Sequence, residues 1–178
     1  MEAVRSDAVS PAAPRIAARV RAVAYWAFTL IVALEMAAGA MWDLLRIQFV
    51  TGVFAHLGYP VYMLSILGAW KLPCAAALLA PGFPRLKEWA YAGALFLYTG
   101  AAASHFFSGD RPGNWIGPLV FGAMTLASSE LRPDDRRLRA GTAVKPARPV
   151  AWIATAATLA VFVVIALLTL PKGPPPGP

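Results

Sequence analysis

One cysteine, two histidines and few charges mark this 178-residue sequence by what it has little of. Cys74 is alone and lies inside an apolar run, so one chain holds no internal disulfide, no CxxC redox couple and no cysteine metal cage, and Cys74 reads as a small buried packing residue. Charged residues make up 14% of the chain against 58% hydrophobic, which leaves too little polar surface for a soluble globule and no room for a separate soluble domain. Acidic residues are scarcer still, with nine Asp and Glu against sixteen Lys and Arg and a net charge of +7. In a soluble protein that excess would point to nucleic acid. Here the basic residues fall between apolar runs, where they orient a membrane protein, and no nucleic-acid partner is expected. No internal duplication is visible, which counts against an inverted-repeat transporter.

What is present is five apolar runs, roughly residues 22–44, 61–79, 89–107, 115–131 and 150–170, each near the ~20 residues that cross a ~30 Å hydrocarbon core. The expected fold is all-α, a polytopic membrane helix bundle. Residues 1–20 read as a disordered cytoplasmic N-terminal tail, 21–131 as a four-helix membrane core, 132–149 as a basic cytoplasmic linker near the headgroups, 150–170 as a fifth transmembrane helix and 171–178 as a Pro-rich external tail. Twelve Lys and Arg fall on the side of the N-terminus and the linker and three on the other, with Lys71 inside the membrane. By the positive-inside rule the N-terminus is then cytoplasmic and the C-terminus external. Ala38-Gly39-Ala40 has the small residues of a signal cleavage site, but the long preceding region and the nearby Glu35 fit a secretory signal poorly.

The first three runs carry Glu35, Lys71 and His105 where a lipid-spanning helix is ordinarily hydrocarbon. Counted from the outer helix ends, Glu35 lies roughly 12 Å deep and Lys71 roughly 15 Å, so the two are expected to form an ion pair or a shared polar network facing the bundle interior. Such a network either fixes helix register or binds a proton, headgroup or polar substrate. Pro73, two residues after Lys71, removes a backbone donor and frees a carbonyl near Ala69.

A second polar group gathers toward the outer side: Asp43 and Arg46 at the end of the first helix, His56 and Tyr59 in the loop 47–60, and Asp110 after the third helix. Such residues commonly just solvate helix ends. The spacing of His56, His105 and the aspartates matches no compact ligand motif, so no metal is expected. The loop is apolar for its length, with Phe49, Val50, Val53, Phe54 and Leu57, and is expected to lie along the interface or fold back over the bundle mouth. On the cytoplasmic side Arg85, Lys87, Glu88, Trp89 and Tyr91 read as an interfacial anchor. The third run's small residues, among them Ala90, Gly93, Ala94 and Gly100, predict close helix approach and a central position in the bundle.

Gly58-Tyr59-Pro60, Gly68-Ala-Trp-Lys71, Pro84-Arg85-Leu-Lys87-Glu88-Trp89-Ala-Tyr91-Ala-Gly93, Thr99-Gly100-Ala and Ser104-His105-Phe-Phe-Ser-Gly109-Asp110 form an ordered series that resembles the DoxX-like family of small bacterial membrane proteins, over about residues 20–133. The resemblance implies a four-helix bundle in the bacterial inner membrane and an association with quinone-linked redox systems, since the family takes its name from a subunit associated with thiosulfate:quinone oxidoreductase and terminal quinol oxidase. The long N-terminal tail and the fifth C-terminal span depart from the family pattern. No cofactor is visibly encoded. The expected function is binding of a quinone or other small amphipathic molecule in a polar pocket around Glu35, Lys71 and His105, with electrons supplied by a membrane redox partner protein. Two alternatives stay open: a non-catalytic structural or assembly subunit of a membrane complex, alone or as a homo-oligomer, and a small-solute or proton permease.

Overall fold

Prolines open three of the helices: Pro84, Pro112 and Pro149 stand in first turns, where a missing N–H costs nothing because no intrahelical acceptor faces it. The computed structural model describes residues 12–137 and 147–175, and within them the chain forms six α-helices and no strand. They are α1 (Ala12–Leu45), α2 (Gln48–His56), α3 (Tyr62–Leu79), α4 (Pro84–Phe107), α5 (Pro112–Leu131) and α6 (Pro149–Leu168), with a short 3₁₀ turn at Asp134–Arg136. Helix α1 begins inside the stretch that reads as a tail, so residues 15–20 continue the helix with their side chains exposed. Residues 1–11, 138–146 and 176–178, which hold much of that tail, half of the linker and the last two prolines and glycine of the external segment, lie outside the described residues.

Three turns share one construction. At Arg46, Gly58 and Gly109 the backbone takes a positive φ, and the next residue's N–H bonds a carbonyl five residues back, closing α1, α2 and α4. Glycine suits two of these positions because it has no Cβ to clash there. After Gly109 the chain folds back so far that the Asp110 N–H reaches the His105 carbonyl at 3.1 Å.

Helices α1, α3, α4 and α5 close a ring in which α1 packs most heavily on α3 and α4 on α5, and α6 lies outside against α1 and α3. The buried interior is made largely of small and aliphatic residues: Val32, Ala33, Met36 and Ala37 from α1, Ala75 and Leu78 from α3, and Ala90, Ala94 and Tyr98 from α4. Gly68 lets α1 and α3 meet, since a Cβ there would stand 2.7 Å from Leu44 Cγ and 3.0 Å from the Ala40 carbonyl oxygen. The exterior is apolar as well, with Trp70, Trp89, Phe96, Phe107 and Leu168 all exposed, an inverted surface suited to lipid. Three helices are long and apolar enough to cross a membrane: Arg15–Leu45, Tyr62–Leu79 and Pro149–Leu168. Helices α4 and α5 fall short of that measure. Lys87 of α4 and Thr125 and Ser128 of α5 are buried, and they lower the mean hydropathy of their helices without wetting the exterior.

The carbonyls at the end of α3 are satisfied by side chains from three other segments. Lys87, fully buried, donates to Ala77 O at 2.7 Å and Leu78 O at 2.9 Å. Arg136 reaches the Leu78, Leu79 and Ala80 carbonyls at 3.4 to 3.5 Å and stacks over Trp26, while Thr155 of α6 donates to Leu79 O at 3.3 Å. Lys87 is therefore a helix cap and not an interfacial anchor. Arg132 and Arg136 are buried in the protein, and Arg132 pairs with Glu88 at 2.8 Å. The apolar loop 47–60 is largely the helix α2, with Val50 buried and Phe49 against the Trp42 ring, and the C-terminal tail passes over it near Gly52 at Pro175.

Candidate functional site

Glu35, Gly39 and Asp43 follow one another at four-residue spacing and so line a single face of α1. Lys71 of α3 meets this face. Its ammonium donates to Asp43 Oδ2 at 2.7 Å, with the two side chains 15% and 3% exposed. The expected direct Glu35–Lys71 pair is not formed. Helical side chains lean toward their own N-terminus, and for α3 that is the end where Asp43 lies, so the lysine reaches past Gly39 to Asp43. Glu35 instead accepts a hydrogen bond from the Tyr98 hydroxyl of α4. The two halves still share one space: a Cβ on Gly39 would stand 3.0 Å from Lys71 Nζ and 3.5 Å from Glu35 Oε1.

Beside this cluster a groove of about 340 Å³ opens between α3 and α4. Met36, Leu67, Trp70, Pro73, Ala77, Leu86, Trp89 and Leu97 give it an apolar wall, Cys74, Ala90, Gly93 and Ala94 give it depth, and Lys71 is its charged residue. The small residues of α4 thus do two different things. Ala90 and Ala94 are buried, whereas a Cβ on Gly93 or Gly100 would touch nothing within 4 Å, so these glycines leave space and do not seat a neighbouring helix.

His105 does not join Glu35 and Lys71. It lies two turns beyond Tyr98 on α4, where its Nδ1 is 2.6 Å from Asp110 Oδ2, while His56 Nε2 is 2.6 Å from Asp110 Oδ1. Asp110 is enclosed between two imidazoles, with no exposed side-chain surface. A carboxylate only accepts, so both facing nitrogens carry the proton. The hydrogen bond from His105, and then that from His56, hold the Asp110 carboxyl below its usual range against the opposing effect of burial. His56 is the last residue of α2 and not a loop residue, so this cluster ties α2 to the α4–α5 turn. Nearby, the Tyr59 and Ser104 hydroxyls are 2.8 Å apart and Arg46 donates to Ser65 Oγ at 2.9 Å. Among the described residues no group of three His, Cys, Asp or Glu is arranged to hold a metal ion.

Sequence reasoning missed Tyr98, although its seven-residue spacing from His105 places both on one helix face. It also missed a buried hydroxyl network at the opposite end, where Ser128 Oγ meets Thr29 Oγ1 at 2.7 Å and the Tyr91 hydroxyl at 2.8 Å, for which the sequence carries no signal beyond isolated hydroxyls.

No curated protein and no solved structure matches the chain. The model of the DoxX-like family matches residues 27–128, which takes in α1 from Ala27 onward through most of α5, with Glu35, Lys71, Tyr98 and the whole Asp110 cluster inside it. More than half of the sequence is covered, and the chain belongs to the DoxX-like family.

Proposed function

We propose that this DoxX-like membrane protein binds a quinone or another small amphipathic molecule in the groove between α3 and α4. The observation that carries the reading is the apolar groove of about 340 Å³ that ends on Lys71 beside two carboxylates. Apolar walls with a few convergent polar groups are what a small amphiphile needs: the tail is desolvated along Trp70, Trp89 and Leu97, and the head meets hydrogen-bonding groups. In this reading α1, α3, α4 and α5 are the four-helix core and α6 a fifth transmembrane helix. The N-terminus and the 132–149 linker face the cytoplasm of a bacterial inner membrane, and the C-terminus faces outward. A redox role draws its electrons from a membrane partner protein. Titrating the detergent-purified chain with a short-chain quinone tests the reading, because Trp70 and Trp89 line the groove and their fluorescence reports occupancy. Saturable quenching with a concentration-dependent rise in melting temperature is expected. Quenching that never saturates, with no change in melting temperature, would remove the groove as a binding site.

A further inference from the structure

Every strong hydrogen-bonding side chain in the wall of the groove is a donor. Lys71 brings an ammonium, and Trp70 and Trp89 bring indole N–H groups, none of which can accept. Met36 and Cys74 bring only sulfur, a weak acceptor at best, and the Cys74 thiol is turned to the Ala90 carbonyl at 3.5 Å. The carboxylates of Asp43 and Glu35 are not part of the wall. The main chain does not make up the difference. The Ala77 carbonyl accepts from Lys87, and the carbonyl that Pro73 leaves without its usual N–H belongs to Ala69, which is not in the lining.

Lys71 has donors to spare. Its ammonium carries three N–H groups and gives one to Asp43 at 2.7 Å, and among the described residues it makes no other hydrogen bond. Asp43 also neutralises the lysine, so the wall offers hydrogen-bond donors without a net positive charge. An anionic head would therefore enter a hydrocarbon-walled site uncompensated, and a cationic head would face the ammonium with no anion in the wall. A neutral head that carries O–H or N–H groups is disfavoured for a different reason. Each of those hydrogens needs an acceptor, and the wall has none to give.

We infer that the groove selects a neutral head that only accepts hydrogen bonds, and so holds the carbonyl form of a quinone in preference to the dihydroxy form. A quinone carbonyl oxygen accepts from Lys71 while the ring lies on the apolar wall. The quinol differs by two electrons and two protons, and its oxygens can still accept from Lys71, but its two O–H groups meet no acceptor. The inference rests on the groove being a ligand site, and it specifies which form of the ligand the site holds.

Calorimetric titration of the detergent-purified full chain with a short-chain quinone and, without oxygen, with the matching quinol tests it, each concentration being taken in the detergent phase. The quinone binds at least tenfold more tightly, which lowers the midpoint potential of the bound couple by about 30 mV for each tenfold. Lys71→Met combined with Asp43→Asn removes the ion pair as a unit, and this double variant binds the quinone no more tightly than the quinol. If the double variant does not fold, the comparison in the unaltered chain decides the matter. Quinol binding as tight as quinone binding, or a preference undiminished in the double variant, overturns this inference and leaves the groove reading standing. Saturable binding of neither form removes both.

Discussion

Lys71 Nζ lies 2.7 Å from Asp43 Oδ2 and, across the gap left by Gly39, also borders the carboxylate of Glu35. Two acids therefore compete for one base, and the geometry says which holds it. Lys71→Met strands a carboxylate that is only 3% exposed, and removing one partner of a buried pair costs about 3 kcal/mol or more. Adding Asp43→Asn recovers most of the loss, whereas adding Glu35→Gln recovers little. Thermal midpoints of the single and double variants in detergent form the cycle. Equal rescue by both amides would mean that the lysine is shared and not paired.

Two glycines give opposite expectations. Gly68→Ala places a methyl 3.0 Å from the Ala40 carbonyl and 2.7 Å from Leu44 Cγ, so α1 and α3 must separate, at a cost of about 1 to 3 kcal/mol. Gly93→Leu meets nothing at its Cβ and replaces the poorest ordinary helix former, a gain of up to about 1 kcal/mol, while its side chain fills part of the groove. A stable Gly93→Leu protein that binds short-chain quinone at least tenfold more weakly is the expected result. Unchanged affinity in that variant would place any quinone site elsewhere.

Lys87→Met is expected to destabilise the protein by about 2 kcal/mol or more, because the Ala77 and Leu78 carbonyls at the end of α3 lose a charge-assisted donor with no water to replace it. Arg85→Met, two residues away and exposed, changes little. Similar melting temperatures for the two variants would show that Arg136 and Thr155 suffice to close α3.

How far the sequence reaches is set by what periodicity and hydropathy can encode. The five apolar runs are helices because run length and composition dictate that, and the breaks fall at Pro60, Gly82 to Pro84 and Gly109 to Pro112. Side-chain direction is not written in a hydropathy profile. Depth counting put Glu35 opposite Lys71, but the tilt of helical side chains carried the lysine to Asp43. Charge near a helix end is equally ambiguous, since Pro84-Arg-Leu-Lys-Glu suits a membrane interface and a cap for the preceding helix alike. Only the fold turns Lys87 inward and leaves Arg85 outside. The meeting of His56, His105 and Asp110 depends on α2, whose nine residues are too apolar and too short to be told from an interfacial loop.

That last cluster has a pH signature whose sign follows from Asp110. The bonds from His105 and His56 hold its folded carboxyl below the usual range near 3.9, so between the folded and unfolded values the unfolded chain binds more protons. The stabilisation is fully present above about pH 4, where the carboxyl is ionised in both states, and is lost as pH falls through the folded value. Asp110→Asn lacks this dependence. The difference in melting temperature between the unaltered chain and Asp110→Asn therefore shrinks as pH falls below about 4. Because His56 ends α2 and Asp110 follows α4, losing the carboxylate also frees α2, and amide exchange over Gln48–His56 speeds up in Asp110→Asn. A melting difference that stays constant down to pH 3, or exchange in α2 that is unchanged by the substitution, would show that the carboxylate does not hold α2 against the bundle.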